Sequence, residues 1–560
     1  MSLNTFFKNL FNYIPNIDYS YKLSETQIQN NIETDKTEKK ISSSLSENIN
    51  YLTVKYNALI NSDINIRKFT LNAKGKQYNA ALIYIDGMTD SDLINNYVLK
   101  PLMLKNKTNL DTSSDTLIVN KNQDLNYHIT KTPNLEDLIY NSLIPQNTIK
   151  MDKNFSSTIN KINNGFTCLL VDTIASAFCI EAKGFQSRQI SAPENEIVVR
   201  GSQEAFVENL RTNTSMVRRI INNENLIIEQ LNIGKVTQTA VSFCYIKNIT
   251  NEDLVNEVRY RLSNLDVDSI ITSGSLEQLI QDDSSIIFPQ MFATERSDRA
   301  CNNLLAGRVV IFVNGSPYAL IAPAILVDFI SSPEDTNLKH QYGNLVRFIR
   351  SLAFFVAMFL PSLYVAVTNF HQDLLPTDLV FAISSIRKSI PFPVIFEILI
   401  MEVSFELIRE ASLRVPSPIG STIGIIGGLI LGEAAVSANL VSPLLIIIVA
   451  MTGICSYAIP DYSLNFAIRT FRFIYILLGY IAGFLGISFG IFIQLILLSK
   501  LQSFGVSYFS PYIPSGNKDT DSSFFIRSIW KREKRSNFLN TKRPDQEGKI
   551  SMQWRNSDLK

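Results

Sequence analysis

The residues with the clearest chemical interest are acidic side chains inside an otherwise apolar segment. Residues 394–413 (VIFEILIMEVSFELIREASL) contain Glu397, Glu402, Glu406 and Glu410. At about 100° per residue in a helix, Glu402, Glu406 and Glu410 share one face, and Glu397 points roughly opposite Glu406. Charged side chains at membrane depth are costly and usually face a cavity or an ion pathway. One hypothesis is therefore a cation route lined by these glutamates.

A second interpretation of this segment stays open. In it, the segment is an amphipathic helix at a membrane surface, with its acidic face solvated and partly paired with Arg409 and Arg414. Glu433, which lies between two apolar runs, raises a similar choice. It is either paired inside a helical bundle or faces an aqueous vestibule.

The remaining sequence offers no catalytic or metal-binding pattern. The three histidines stand far apart, and the five cysteines show no CxxC spacing. Walker A, G-x-G-x-x-G and G-x-S-x-G motifs are absent. Lys and Arg number 52 against 51 Asp and Glu, a balance that argues against a nucleic-acid binder. We therefore expect no enzyme, no cofactor and no metal.

Long uncharged segments predict a polytopic helical membrane domain over residues 345–510. Residues 351–370, 434–460 and 473–499 carry no charge, and about 20 apolar residues suffice to cross a bilayer. Residues 415–432 are also uncharged, but their two prolines and five glycines favour a re-entrant or broken helix. With the glutamate-bearing segment, this makes four to five apolar segments.

The distribution of basic residues predicts the orientation. Arg347 and Arg350 precede the first apolar segment, and residues 511–560 form a basic tail. The positive-inside tendency places both in the cytosol. Two ends on one side require an even number of crossings, so one of the five segments is expected not to cross. The candidates are the Gly/Pro-rich segment and the glutamate-bearing segment.

The N-terminal part is predicted to be a soluble α/β region of two subdomains. Residues 1–50 are rich in polar residues and indicate a flexible segment. Residues 51–190 and 195–335 each mix strand-like and helix-like patterns, which predicts two layered sheet subdomains. No internal repeat is apparent.

Two local signals stand out in the second subdomain. Residues 202–222 have apolar positions at helical spacing, with Ser202 as the expected N-cap. Residues 309–313 and 318–321 predict a hairpin around Asn314-Gly315. The charged residues here form either a helix face with i,i+4 pairs or a docking surface for a neighbouring subunit. They are Arg200, Arg211, Arg218, Arg219, Glu204 and Glu208.

Short motifs spread over residues 160–515 resemble a known family, the A subunits of the GerA-type nutrient germinant receptors of endospore-forming bacteria. The main matching motifs are 196–201 (EIVVRG), 209–213 (NLRTN), 218–219 (RR), 294–298 (TERSD), 360–364 (LPSLY), 391–393 (PFP), 409–411 (REA), 432–436 (GEAAV) and 503–506 (SFGV). The chain departs from the family pattern at Ser202–Phe206 and at Ser297, where a proline is common in the family.

The resemblance implies a subunit of a spore inner-membrane receptor, with two α/β subdomains facing the cytosol, which is the spore core. In this family the A subunit works with a permease-like B subunit and a lipoprotein C subunit. It is viewed as an oligomer, a pentamer, that forms a nutrient-gated ion channel and triggers germination. A secondary transporter or a membrane scaffold without its own pore is the alternative.

Two sets of residues follow as candidates for function. Those for a pore or cavity are Glu397, Glu402, Glu406, Glu410 and Glu433. Those for coupling between subunits are Arg200, Arg211, Asn213, Arg218, Glu295, Arg296 and Asp298.

Overall fold

The computed structural model of the chain describes most of the two subdomains and of the helical region. The described residues are 39–73, 76–103, 134–184, 195–414, 432–512 and 525–546 except 530, 531 and 533, together with 21, 23, 24 and 193. Most of the predicted flexible segment and the Gly/Pro-rich residues 415–431 lie outside them. The prediction of flexibility is wrong for residues 45–50, which begin the helix Leu45–Tyr56.

The first subdomain is a five-stranded antiparallel sheet between two layers of helices. Its strand order is β1-β2-β4-β5-β3. The strands are β1 (Ile64–Ala73), β2 (Lys76–Ile85), β3 (Ile149–Asp152), β4 (Phe166–Val171) and β5 (Ala177–Glu181). The helices are α1 (Leu45–Tyr56), α2 (Ser91–Leu93, Ile94–Leu99 and Lys100–Met103), α3 (Leu135–Leu138 and Ile139–Leu143) and α4 (Phe155–Asn163). Helices α1 and α4 cover one face of the sheet, and α2 and α3 cover the other.

The second subdomain repeats this plan. Its sheet has the order β6-β7-β9-β10-β8, again antiparallel. The strands are β6 (Leu226–Ile233), β7 (Thr239–Ile246), β8 (Phe292–Thr294), β9 (Val309–Val313) and β10 (Ala319–Ala322). The helices are α5 (Leu210–Ile220), α6 (Glu252–Ser263), α7 (Ser273–Ile280) and α8 (Ser297–Ala306). The predicted layered organisation and the hairpin over residues 309–321 are confirmed.

The two subdomains are an internal structural duplication. Counted from its own first strand, each sheet follows the order 1-2-4-5-3, with the helices at the same places in the chain. Residues 84–94 (YIDGMTDSDLI) and 245–255 (YIKNITNEDLV) occupy equivalent positions. In both, an Asp or Asn side chain caps the following helix: Asp90 accepts from Asp92 N, and Asn251 from Asp253 N. The conclusion that the sequence has no repeat is therefore wrong.

The helix predicted over residues 202–222 begins later than expected. Helix α5 starts at Leu210, and Asn209 rather than Ser202 is its N-cap, accepting from the Thr212 backbone N–H at 3.1 Å. An Asn side chain satisfies one of the free N–H groups of a first helical turn as well as Ser does. The preceding residues run as an irregular segment along the subdomain, so Ser202 caps no helix.

The C-terminal half is a bundle of helices attached to the second subdomain. After the short helices α9 (Leu326–Ile330) and α10 (Glu334–Asn337), its helices are α11 (His340–Phe370), α12 (Thr377–Arg387), α13 (Val394–Arg414), α14 (Pro443–Tyr457) and α15 (Tyr462–Lys500). Two of the described helices, α11 and α15, are long and apolar enough to cross a membrane by length and composition. Helix α14 is apolar but shorter.

Helix α15 is a helical hairpin, and its turn is at Gly483. This residue has φ 59° and ψ −137°, which interrupts the helix. Tyr475 donates a hydrogen bond to Gln494, 19 residues away, whereas a straight helix would separate the two by about 28 Å. A Cβ on Gly490 would lie 2.8 Å from the Tyr475 ring, so the arms pack closely. The apolar run 473–499 therefore contains parts of both arms of the hairpin.

The chain enters and leaves the bundle at the end that contacts the second subdomain. Helix α11 begins there and ends at Phe370, beside the hairpin tip at Gly483. Helices α13 and α14 run side by side towards the subdomain, since Glu397 lies near Ser442 and Arg409 near Ser456. Helix α13 thus ends towards the subdomain, and α14 begins at the far end of the bundle.

Aromatic side chains join the bundle to the second subdomain. Phe288 contacts Phe471 of α15 with ring centroids 5.2 Å apart, and Phe329 contacts Tyr508 at 6.1 Å. Tyr508 follows a short two-stranded hairpin, β11 (Gln502–Ser503) and β12 (Val506–Ser507). One continuous apolar core extends from this subdomain into α11 and α15. Large buried rings contribute strongly to such contacts, so the two parts form one packed unit.

We expect Gly483→Ala to destabilise the protein. The backbone conformation of Gly483 is one that residues with a Cβ rarely adopt, and the added Cβ would lie 2.9 Å from His371 Cε1. Such backbone strain costs about 1–3 kcal/mol. Thermal unfolding of the full chain in detergent measures the effect. The control is Gly274→Ala in α7, where nothing lies within 4 Å; equal unfolding midpoints for the two variants would contradict the hairpin.

Candidate functional site

Helix α13 carries the acidic residues that the sequence singles out. It follows Pro391 and Pro393, after which the chain holds 21 helical residues rich in Ile, Leu and Glu. Glu402 and Glu406 lie one turn apart on a side that faces α15, and Arg409 follows within the next turn. The helical spacing thus brings two carboxylates and a guanidinium to one helix–helix contact.

Two arginines of α15 meet these carboxylates. Arg472 Nη2 lies 3.1 Å from a carboxylate oxygen of Glu402 and 2.9 Å from one of Glu406. Arg469 Nη2 lies 2.7 Å from the other oxygen of Glu406. Arg472 therefore bridges two acids that are one helical turn apart. We name Glu402, Glu406, Arg409, Arg469 and Arg472 the ion-pair cluster.

Arg409 connects the ion-pair cluster to α14. Its guanidinium donates a hydrogen bond to Ser456 Oγ and lies 4.6 Å from the centroid of the Tyr457 ring. Its distance to Glu406 is 4.0 Å, at the limit of a direct ion pair. A guanidinium over an aromatic face gains from the negative ring quadrupole. Three helices thus converge on the cluster.

The cluster is buried and carries more positive than negative charge. The side chain of Glu402 is 0% exposed and that of Arg472 is 1% exposed. Both oxygens of Glu402, Nε of Arg472 and Nε of Arg409 have no hydrogen-bond partner among the described residues. Removing such charges from water is expensive, and only close pairing offsets it. Three arginines against two carboxylates disfavour a cation at this place as long as the pairs hold.

Glu397 belongs to a different contact, at the far end of the bundle. Its side chain accepts a hydrogen bond at 3.2 Å from the backbone N–H of Ser442, the N-cap of α14. Arg387 lies 3.9 Å from its other oxygen. A carboxylate at a helix N-terminus is favoured by the helix dipole. Glu397 thus fixes α13 to the start of α14.

The structure does not bring Glu410 and Glu433 into the ion-pair cluster. Both side chains are exposed on the outside of the bundle, Glu410 on α13 and Glu433 in residues 432–437, which are helical. The two cluster arginines of α15 were not singled out from the sequence. The sequence could have identified them, because Arg469 and Arg472 interrupt an apolar run. Charged side chains in such a run need partners inside a bundle.

Several candidate coupling residues join the two subdomains of one chain. Arg218 is fully buried and binds Asp63 of the first subdomain through Nε at 2.8 Å and Nη2 at 2.9 Å. Its Nη2 also donates to Asn61 Oδ1 at 3.2 Å. Arg211 forms a second ion pair between the subdomains, with Asp86. The prediction of an exposed, charged helix face is therefore wrong for Arg218. Its buried side chain holds the two subdomains together.

Other candidates hold the segment 195–204 against the second subdomain. Glu295 accepts from the backbone N–H groups of Asn195 and Glu196 at 2.6 and 2.8 Å. Arg296 donates to Ser202 O at 2.9 Å and pairs with Asp298 at 2.7 Å. Asn213 binds both backbone groups of Val207. These contacts are within one chain, and coupling between subunits stays a prediction. Arg200 and Arg211 are the exposed members of the set.

An acidic pair lies where α15 leaves the second subdomain. Asp461 caps α15, accepting from the Leu464 backbone N–H at 2.7 Å, and Glu277 of α7 interacts with it electrostatically. Burial, followed by the charge of Asp461, raises the pKa of Glu277 to about 7. Burial also raises the pKa of Asp461 to about 6. Within the described residues, no group of three His, Cys, Asp or Glu could hold a metal ion.

Comparison with protein families identifies relatives for most of the chain. The family model described as the Bacillus/Clostridium GerA spore germination protein matches residues 50–538. Spore germination protein KA of Bacillus subtilis is 36% identical over 509 residues, covering 91% of this chain and 89% of that protein. Spore germination protein GerLA of Bacillus cereus is 34% identical over 481 residues, covering 86% of this chain and 93% of that protein.

The chain is also similar to a solved structure. It is the N-terminal domain of the A subunit of the Bacillus megaterium spore germinant receptor GerK3, at 34% identity. The match covers 52% of this chain and 98% of that structure, with a TM-score of 0.38.

We expect Arg472→Gln to destabilise the full chain strongly. The substitution leaves Glu402 buried without its partner, and breaking a buried ion pair in this way typically costs about 3–5 kcal/mol. The control is Lys235→Gln, which removes an exposed pair with Asp266 whose side chains are 66% and 76% exposed. That change should cost no more than about 1 kcal/mol. Thermal unfolding in detergent distinguishes the two variants. Similar unfolding midpoints would mean that the ion-pair cluster contributes little to the stability of the fold.

We expect stability to fall as pH rises from about 4.5 to about 7 through Glu277. Its raised pKa means that the folded chain binds a proton more tightly than the unfolded chain, so ionisation favours unfolding over this interval. Glu277→Gln should flatten the dependence of the unfolding midpoint on pH. Glu252→Gln is the contrast, because Lys542 lowers the pKa of Glu252 and the sign is opposite. An unchanged slope in Glu277→Gln would refute the assignment.

Proposed function

Because the chain belongs to the GerA family of spore germination proteins, we propose that it is the A subunit of a spore nutrient germinant receptor. It acts with a permease-like B subunit and a lipoprotein C subunit in the spore inner membrane, as a homo-oligomer, a pentamer. Its helical bundle contributes a nutrient-gated ion path whose opening triggers germination. The two subdomains face the cytosol.

The path of the chain supports this orientation. The bundle is entered at His340, which contacts Ser528 of the tail, and left after Lys500, where Leu501 belongs to the apolar core shared with the second subdomain. The subdomains and the described tail residues therefore lie on the same side of a membrane that contains the bundle. Two ends on one side are what the basic flanks of the bundle predict. Among the described residues, α11, α13, α14 and the two arms of α15 run along the bundle.

The observation that carries the channel proposal is the ion-pair cluster, which brings two carboxylates and three arginines together where three helices of the bundle meet. It lies near the end of the bundle that contacts the second subdomain, because Phe471, next to Arg472, contacts Phe288 of that subdomain. Ionisable groups between membrane helices usually face one another, a cavity or an ion pathway. In the paired arrangement the carboxylates are neutralised, so this arrangement corresponds to a closed state.

For the ion path to open, the nutrient has to bind more tightly when the ion pairs are separated than when they are formed. The second subdomain is positioned to transmit such a response, because its core continues into α11 and α15. Separation of α13 from α15 would release Glu402 and Glu406 from the arginines and expose carboxylates to a path. A scaffold without a pore is the alternative, since every carboxylate of the cluster is paired within one chain.

The test is ion flux from liposomes that contain the A, B and C subunits, with candidate amino acids and sugars added in turn. We expect nutrient-dependent flux, and Glu406→Gln should change its rate or ion selectivity because one carboxylate is removed from the path. Glu47→Gln, on the exposed face of α1, is the matched control. Flux that is unchanged by Glu406→Gln, with germination signalling intact, would favour the scaffold.

A further inference from the structure

The C-terminal tail returns to the second subdomain after the bundle and docks on it. Residues 534–545 form a small loop, which a hydrogen bond from the Arg535 backbone N–H to Pro544 O closes at 2.7 Å. Leu539 is the buried apolar side chain of this loop, and Thr541 is also buried. We name residues 534–545 the C-terminal latch. Its contacts decide whether it is a fixed part of the subdomain or a segment that can leave it.

Arg535 anchors the latch at the end of α8. Its side chain is buried, and Nε donates at 2.7 Å to Leu305 O in the last turn of that helix, 230 residues earlier in the chain. Nη1 donates to Arg543 O at 3.0 Å and to Asp545 O at 2.6 Å. A cation at a helix C-terminus is favoured by the helix dipole and can bind carbonyls that lack a partner within the helix. One guanidinium therefore both shapes the latch and fixes it to α8.

A second contact joins the latch to the turn between β7 and α6. The Lys542 backbone N–H donates to Ile249 O at 2.9 Å, and Lys542 Nζ pairs with Glu252 at 2.9 Å. Thr541 packs against Gly307, where an added Cβ would lie 2.5 Å from Thr541 Cγ2. The latch thus fills a slot between the end of α8 and this turn, which we name the latch slot.

The duplicated first subdomain has an equivalent slot, and there the continuing chain fills it. Met88 is the counterpart of Ile249 in the duplication, and the Gly184 backbone N–H donates to Met88 O at 3.3 Å. Residues 182–184 follow directly after β5. An extension of β5 therefore takes, in the first subdomain, the place that the latch takes in the second.

Two glycines agree with this equivalence. Gly165 comes after α4 and Gly307 after α8, and both have positive φ, 82° and 99°. A Cβ on Gly165 would lie 3.4 Å from Lys183 Cγ, just as a Cβ on Gly307 would meet Thr541. The two slots thus match in their walls. They differ in what fills them: a strand extension in one and the returning tail in the other.

The second slot is left to the tail because the chain leaves the sheet after β10. This strand ends at Ala322, and α9, which leads towards the bundle, begins at Leu326. The sheet order β6-β7-β9-β10-β8 is complete without the latch. A surface segment held by main-chain hydrogen bonds and little buried apolar area opens more readily than core strands do. The latch can therefore leave while the sheet stays folded, whereas residues 182–184 cannot leave without disturbing β5.

The geometry points to a peptide-binding slot in the second subdomain that the tail of the same chain occupies as a releasable latch. The segment that fits is extended and basic, with an arginine at the end of α8 and a backbone N–H that reaches Ile249 O. The tail also holds α11, because Asn344 and Ile526 exchange hydrogen bonds at 3.0 and 2.6 Å. The docked latch therefore connects the start of α11 to the end of α8, and its release removes this connection.

Hydrogen exchange of the full chain in detergent, followed by mass spectrometry, tests whether the latch releases. We expect the Lys542 amide to be protected and yet to exchange before the amides of β7 and β9, because a docked surface segment opens locally. The Gly184 amide is the matched internal control and should exchange later than that of Lys542, since its segment continues from β5. An unprotected Lys542 amide, or one as slow as those of β9, would overturn the proposal.

Binding of a synthetic peptide tests the slot itself. Arg535→Gln in the full chain should speed exchange of the Lys542 amide by about tenfold or more, since a charged donor to three carbonyls is lost. A peptide of residues 534–546 (KRSNFLNTKRPDQ) should then bind this variant. It should bind the wild-type chain about tenfold or more weakly, because the tethered tail competes at a high effective concentration.

Lys534→Gln is the matched control, because its side chain is the exposed neighbour of Arg535, and it should behave as the wild-type chain does. Equal binding of the peptide to the wild-type and Arg535→Gln chains would place the peptide elsewhere. Failure to bind the Arg535→Gln chain would show that no slot is vacated. Either result would overturn the proposal, and if this variant does not fold, the exchange of the wild-type chain decides alone.

Discussion

The bridge that Arg472 makes between Glu402 and Glu406 is the contact on which the bundle depends. Each of these groups would be unfavourable alone in an apolar interior, and their close placement offsets the cost of removing them from water. The bridge requires α15 to lie against α13 at one register, and Arg409 then connects the same point to α14. A small relative movement of these helices would separate several charges at once, so the cluster favours this one packing of the three helices.

The two subdomains and the bundle are joined by close contacts. Arg218 and Arg211 tie the two duplicated subdomains together through Asp63 and Asp86. The apolar core of the second subdomain then continues into α11 and α15, with Phe288 and Phe471 in contact across the junction. A displacement at the subdomains therefore reaches the first arm of α15, which carries Arg469 and Arg472. In the proposed function, this continuity links nutrient recognition elsewhere in the receptor to the bundle.

Local signals in the sequence predicted much of the fold. The hairpin around Asn314-Gly315 and a helix over the uncharged stretch after Arg350 are both present as expected. Long-range features were not predictable in the same way. The hairpin of α15 depends on one glycine conformation inside a continuous apolar run, and the pairing of α13 with α15 joins residues more than 60 positions apart. The duplication is weak in sequence because only the caps and apolar positions have to be shared.

The central claim is that Glu402 and Arg472 stabilise each other inside the bundle. A double-mutant cycle with Glu402→Gln, Arg472→Gln and the double variant measures this directly from unfolding of the full chain in detergent. Direct contact predicts a coupling energy of about 0.5–3 kcal/mol, with the double variant less destabilised than the sum of the two single changes. Additive effects within about 0.5 kcal/mol would show that the two residues do not interact and would contradict the account.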